Sequence, residues 1–96
     1  MKLQSDGVHF DIYDSIKSVA DAQTLVDSFE ESKKRGINDI TIRIYDSKTI
    51  PSNVIGCLLK LGNEGVSIKI HIKDNNLYEI IEFLCLSDMI EINRLY

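Results

Sequence analysis

Isoleucine occupies every second position in two stretches of the chain. Ile40, Ile42 and Ile44 alternate with Thr41, Arg43 and Tyr45, while Val66, Ile68, Ile70 and Ile72 alternate with Ser67, Lys69, His71 and Lys73. A period of two sends successive side chains to opposite faces of a β-strand, so each stretch is predicted to be a strand with one apolar and one polar face. Val8 to Tyr13 repeats the pattern. Parallel strands covered on both faces read instead as unbroken apolar runs. Three alternating strands therefore restrict the chain to a sheet with its helices mainly on one side. His9, Asp11, Tyr13, Thr41, Arg43, Tyr45, Lys69 and His71 are left on a solvated face.

The segments between the strands carry helical signals. Ser18 is placed to cap a helix with Asp21 three residues on, and Val19, Ala22, Leu25, Val26 and Phe29 form one apolar stripe. Lys33-Lys34-Arg35 then offsets the negative end of the helix dipole, and Gly36 follows, so this helix is expected over 19–35. A second helix is expected from about Ser52 to Leu61, closed by Gly62, and a third over 76–86 with Asn76 and Glu79 as its cap and Leu77, Ile80, Ile81 and Leu84 as its stripe. Lys2 to Gln4 pairs with Val8 to Tyr13 across a Ser5-Asp6-Gly7 turn. Met89 to Ile92 reads as a short closing strand or extended tail. No internal repeat, low-complexity tract or linker divides the 96 residues, so one domain spans 1–96. The order β-β-α-β-α-β-α-(β) makes it α/β, with a mixed four- or five-stranded sheet and helices mainly on one face.

Composition narrows the function. A hydrophobic fraction of 44% with 27% charged residues belongs to an ordinary globular chain. No apolar run approaches the ~20 residues that span a bilayer, and the first six residues lack the apolar core of a signal peptide; a cytoplasmic protein with no membrane partner is expected. A net charge of −4 offers no broad positive field to phosphate backbone, so nucleic acid is not expected as a partner. Cys57 and Cys85 lie far apart in apolar helical segments and read as small buried residues in a reducing compartment. With two isolated histidines they make no metal site, and no cofactor is implied.

Chemistry is scarce. Gly62-Asn63-Glu64-Gly65 has neither the spacing nor the lysine of a phosphate-binding loop. Ser52, between Pro51 and Asn53, lacks the flanking glycines of a nucleophile elbow, and no enzyme is expected. Asp46 ends a strand as the phosphoaccepting aspartate of response-regulator receivers does, without the acidic pair that holds magnesium after the first strand. Ser52 itself reads either as a helix cap or as a hydroxyl displayed for modification. Val54, Ile55, Leu58, Leu59 and Leu61 are expected to face the core, leaving Asn53, Gly56, Cys57 and Lys60 outside. A glycine inside a helix costs about 0.5–1 kcal/mol relative to alanine. Tight packing within the domain and close approach of a partner backbone account for Gly56 equally well.

Ala22 to Gly56 resembles the STAS domains, the family of anti-sigma-factor antagonists. Ala22 and Leu25 match an alanine and a leucine of the family's first helix, and Asp39 to Ile44 its next strand. The family's turn signature, an apolar residue followed by Asp, Ser, Ser or Thr, Gly, Leu and Gly, reads here Ile50, Pro51, Ser52, Asn53, Val54, Ile55, Gly56. Ser52 thus falls on the family's phosphorylatable serine, with Pro51 in place of the aspartate, Asn53 of the second hydroxyl residue and Val54 of the glycine. Ile80 to Ile92 resembles the family's closing helix and strand, with Cys85 replacing a glycine. The resemblance implies a STAS-like fold and a non-enzymatic protein-binding module. Its docking surface would be Pro51, Ser52, Asn53, Gly56, Cys57 and Lys60, with phosphorylation of Ser52 as the switch. The partner implied is an anti-sigma-type serine kinase that binds ATP, or another signalling assembly. The alternative is a constitutive accessory subunit of a transport or signalling assembly, with Ser52 only a helix cap.

Overall fold

The computed structural model describes residues 1–84 and 90–95. Five strands form one sheet: β1 (Lys2–Ser5), β2 (His9–Tyr13), β3 (Asp39–Ile44), β4 (Ser67–Ile72) and β5 (Ile90–Arg94). Three helices connect the last four: α1 (Val19–Lys34), α2 (Ser52–Asn63) and α3 (Asn75–Leu84). Sheet order equals chain order, with β1 antiparallel to β2 and every later pair parallel. Right-handed crossovers that always step the same way along a sheet leave their helices on one face. Burial agrees. Phe10, Ile12, Ile40, Ile42, Ile44, Ile68, Ile70, Ile72 and Ile90 are buried, and the residues between them are half-buried or exposed.

The register lays the apolar positions out in rows. Phe10 stands opposite Ile42, which faces Ile70 and then Ile92; Ile12 faces Ile44 and then Ile72. Above them Ala22, Leu25 and Phe29 come from α1, Val54, Cys57, Leu58 and Leu61 from α2, and Leu77 and Ile81 from α3. Phe29 meets Phe10 edge-on, with centroids 4.9 Å apart and planes at 76°, a geometry that sets a positive ring edge against a negative face.

Helix ends explain where each element stops. Beyond α1, Gly36 takes φ +83°, its N–H donates to the Lys33 carbonyl and the Ile37 N–H to Ser32. Beyond α2, Gly65 at φ +97° does the same through Gly62 and Leu61. Both are left-handed glycine caps that satisfy otherwise orphaned carbonyls. Gly62, expected to close α2, is instead buried within it, so the helix runs on to Asn63, about half a turn further. α3 is capped by Asp74, whose Oδ2 accepts the Leu77 N–H at 2.9 Å, and not by Asn76.

Three apolar assignments differ from expectation. Val19, Ile80 and Leu84 are exposed, and α1 buries Ser32 where its stripe reaches the β1–β2 turn. Ser32 Oγ donates to the Gly7 carbonyl at 2.7 Å, which lets a hydroxyl sit in the core without an unpaired proton. The expectations for Cys85, Leu86 and Met89 lie outside the described residues.

Candidate functional site

The residues singled out on α2 separate into two groups. Ser52, Asn53, Gly56 and Lys60 are exposed and Pro51 is half-buried at the helix entry. Cys57 is buried, only 7% exposed, and leaves the proposed surface. The reason is helical phase. Val54, Cys57, Leu58 and Leu61 are spaced i, i+3, i+4, i+7 and form one line onto the sheet, whereas Ile55 and Leu59 fall on its flank and are half-buried. Burial pushes the Cys57 thiol above its usual range, as expected for an inert packed cysteine.

Ser52 does not cap α2. The half-in position belongs to Pro51, whose φ of −64° and ψ of 147° turn the chain into the helix, and no side-chain hydrogen bond is made there. Proline carries no oxygen to offer, and Ser52 is already the first helical residue. The reading of Ser52 as only a helix cap is therefore overturned. The Val54 and Ile55 N–H groups both donate to the Pro51 carbonyl, at 3.0 and 3.2 Å. No acidic residue occupies the first turn. Among the described residues no hydrogen bond joins Ser52 to a histidine or carboxylate, so nothing there activates the hydroxyl as a nucleophile.

Gly56 has no internal reason to be glycine. A Cβ built on it would meet nothing within 4 Å, and its backbone is not left-handed. Tight packing within the domain, one of the two accounts of this residue, is thereby removed. Lys60 has a neighbour: its Nζ lies 3.8 Å from Glu30 Oε1, and one turn on Lys33 Nζ sits 2.7 Å from Glu64 Oε1. These pairs stitch α1 to α2. The Lys33 contact also holds the Glu64 carboxyl below its usual range.

Sequence reading passed over a second cluster. Ile-Tyr-Asp-Ser occurs twice, at 12–15 and 44–47, and the fold sets the two copies side by side. Ile12 pairs with Ile44; the Tyr13 and Tyr45 rings stack with centroids 4.7 Å apart and planes within 6°. Asp46 Oδ2 accepts the Asp14 N–H at 2.8 Å, and Ser47 Oγ accepts the Ile16 N–H at 3.1 Å while donating to the Thr49 carbonyl at 2.7 Å. Asp46 thus holds the β2–α1 loop, where Asp14 has φ +64°. The repeated tetrapeptide was the signal. On the uncovered sheet face Arg43 pairs with Asp11 at 3.1 Å, and Tyr45 Oη lies 3.5 Å from the same carboxylate. The polar face expected from alternation is present, and its central residues bind one another.

Among the described residues no group of three or more His, Cys, Asp or Glu side chains is placed to hold a metal ion, and no helix is long and apolar enough to cross a membrane. No protein family, curated protein or solved structure gives a significant match to the chain.

Proposed function

We infer that this chain is a non-enzymatic, cytoplasmic regulatory module that docks a partner protein through the start and outer face of α2, with Ser52 as a phosphorylation switch. The observation that carries this reading is Gly56. It sits exposed inside a helix, where glycine costs about 0.5–1 kcal/mol relative to alanine, and open space surrounds the place of its missing Cβ. A surface kept bare at such a cost suits a partner whose backbone comes close. Ser52, one turn earlier, and the half-buried flank of Ile55 and Leu59 extend the same surface with a polar end and an apolar side.

The position of Ser52 supports the switch. A phosphate there would bring roughly −1.5 to −2 charge to a helix N-terminus free of acidic residues, a location the dipole favours. The domain would tolerate it, while a carboxylate-bearing partner surface would be repelled. The sequence resemblance to anti-sigma-factor antagonists points the same way and names the partner class, a serine kinase that binds ATP or another signalling assembly. The test is phosphopeptide mapping of residues 46–60 in protein purified from its own cells. Phosphate on Ser52, with weakened partner binding by Ser52→Asp, is the expected result. An unmodified Ser52 and unchanged binding by Ser52→Asp would refute the switch.

A further inference from the structure

α1 and α2 each follow a copy of the Ile-Tyr-Asp-Ser tetrapeptide, yet only α1 fixes its own start. There Ser18 accepts the Asp21 N–H, and the Asp21 carboxylate reaches back to the Lys17 N–H. α2 starts on Pro51 with no side-chain bond, so nothing at the terminus itself sets the direction in which Ser52 is displayed. That direction is inherited from the chain between β3 and Pro51.

Within this stretch Ser47 is the buried junction. It is 1% exposed, and its hydroxyl accepts the Ile16 N–H at 3.1 Å and donates to the Thr49 carbonyl at 2.7 Å. A serine hydroxyl has one proton to donate, so the bond to Thr49 orients the oxygen lone pairs that receive Ile16. Ile16 is also buried, and an N–H buried there without Ser47 would be left unpaired. Ile50, half-buried against the core, holds the next residue of the turn. Asp46 adds a second clamp, taking the Asp14 N–H at 2.8 Å. Both clamps run from the backbone of the β2–α1 loop to side chains of the loop before α2, across 31 and 32 positions of sequence.

We propose that Ser47 is the positioning residue of the Ser52 site. By joining the Ile16 N–H to the Thr49 carbonyl it fixes the path of the chain into Pro51, and with Asp46 it makes the starts of α1 and α2 one unit. Its consequence for modification rests on the reading of Ser52 as a switch; the clamp itself does not.

The test is hydrogen exchange of the full chain, resolved at single amides by NMR. The Val54 and Ile55 N–H groups bond to the Pro51 carbonyl and not to Ser47, so they report the turn at a distance. In Ser47→Ala they should exchange about tenfold or more faster than in wild type, with little change at Ile70 in the middle of the sheet, where exchange follows global unfolding. Ser47→Thr keeps the hydroxyl and should return them to the wild-type rate. Asp46→Ala, at an exposed position, should speed the Ile16 amide severalfold although Ile16 does not touch Asp46, and it decides the matter if Ser47→Ala fails to fold. Unchanged Val54 and Ile55, equal acceleration at Ile70, threonine behaving like alanine, or an Ile16 amide indifferent to Asp46→Ala would each overturn the proposal. Phosphate on Ser52 in cells should fall severalfold in Ser47→Ala and recover in Ser47→Thr. Wild type without that phosphate refutes the switch and not the clamp, which the exchange rates decide.

Discussion

Ser18 and Ser52 each stand where a helix begins, and the fold treats them in opposite ways. Ser18, at φ −113° and ψ 163°, accepts the Asp21 N–H at 3.0 Å. Asp21 reaches back to the Lys17 N–H at 3.2 Å and to the chain's amino terminus at 3.6 Å. That helix start is satisfied by its own neighbours. At α2 the capping position is filled by a proline with no side-chain bond, and Ser52 and Asn53 project into solvent. The contrast teaches that a serine before an apolar helix is not one signal but two. It closes a terminus when it holds the extended position, and displays a hydroxyl when a proline takes that position first.

The largest expected effect separates the two faces of α2. Leu58→Ala removes a side chain only 1% exposed and should cost about 2–5 kcal/mol by denaturant unfolding. A cost under about 1 kcal/mol would mean that α2 is not seated on the sheet. Next comes the capped serine. Ser18→Ala should lose about 0.5–2 kcal/mol, a fall in Tm of roughly 4–8 °C per kcal/mol for a domain of this size. Gly56→Ala should act in the other direction, stabilising by about 0.5–1 kcal/mol, because the new methyl meets open space. Destabilisation would restore an internal reason for the glycine.

Smaller still is the acid response of the α1 start. The Lys17 backbone N–H holds the Asp21 carboxyl below its ordinary value of 3.8. A carboxyl depressed in the folded state contributes stability that is present above its unfolded value and lost as pH falls through the folded one. Unfolding between neutral pH and the region below 3.8 should therefore show a loss that Asp21→Asn removes. Its size is modest, since the groups are solvated. The smallest effect belongs to Ser52→Ala, within about 0.5 kcal/mol of wild type. A cost comparable with Ser18→Ala would break the comparison by showing that Ser52 caps after all.

The strands were legible because isoleucine alternates with polar residues over Ile40 to Tyr45 and Val66 to Lys73, and a period of two admits only one assignment of faces. Helices are less determinate, since several stripes satisfy spacings of three and four. That freedom is why Val19, Ile80 and Leu84 were assigned to the core and Cys57 to the surface. Burial depends on where each helix axis lies above the sheet, which no local pattern encodes. Asp74 was passed over as the α3 cap for Asn76, because both are good caps and the sheet decides which residue leaves the strand. The pairing of Asp46 with the β2–α1 loop required β2 and β3 to be neighbours, a fact of topology. Gly56 was visible as an anomaly, but only the fold showed that nothing inside the domain explains it.

The central claim is that α2 keeps its outer face bare for a partner. Its most direct measurement is quantitative mass spectrometry of the proteins captured from the native cell extract by wild type and by Gly56→Arg, with both baits shown to be folded and the variant to unfold at no lower a denaturant midpoint than wild type. The account predicts a protein captured by wild type and reduced about tenfold or more by arginine, whose long side chain stands where the partner backbone would approach. Identical captured sets for the two folded baits would contradict it.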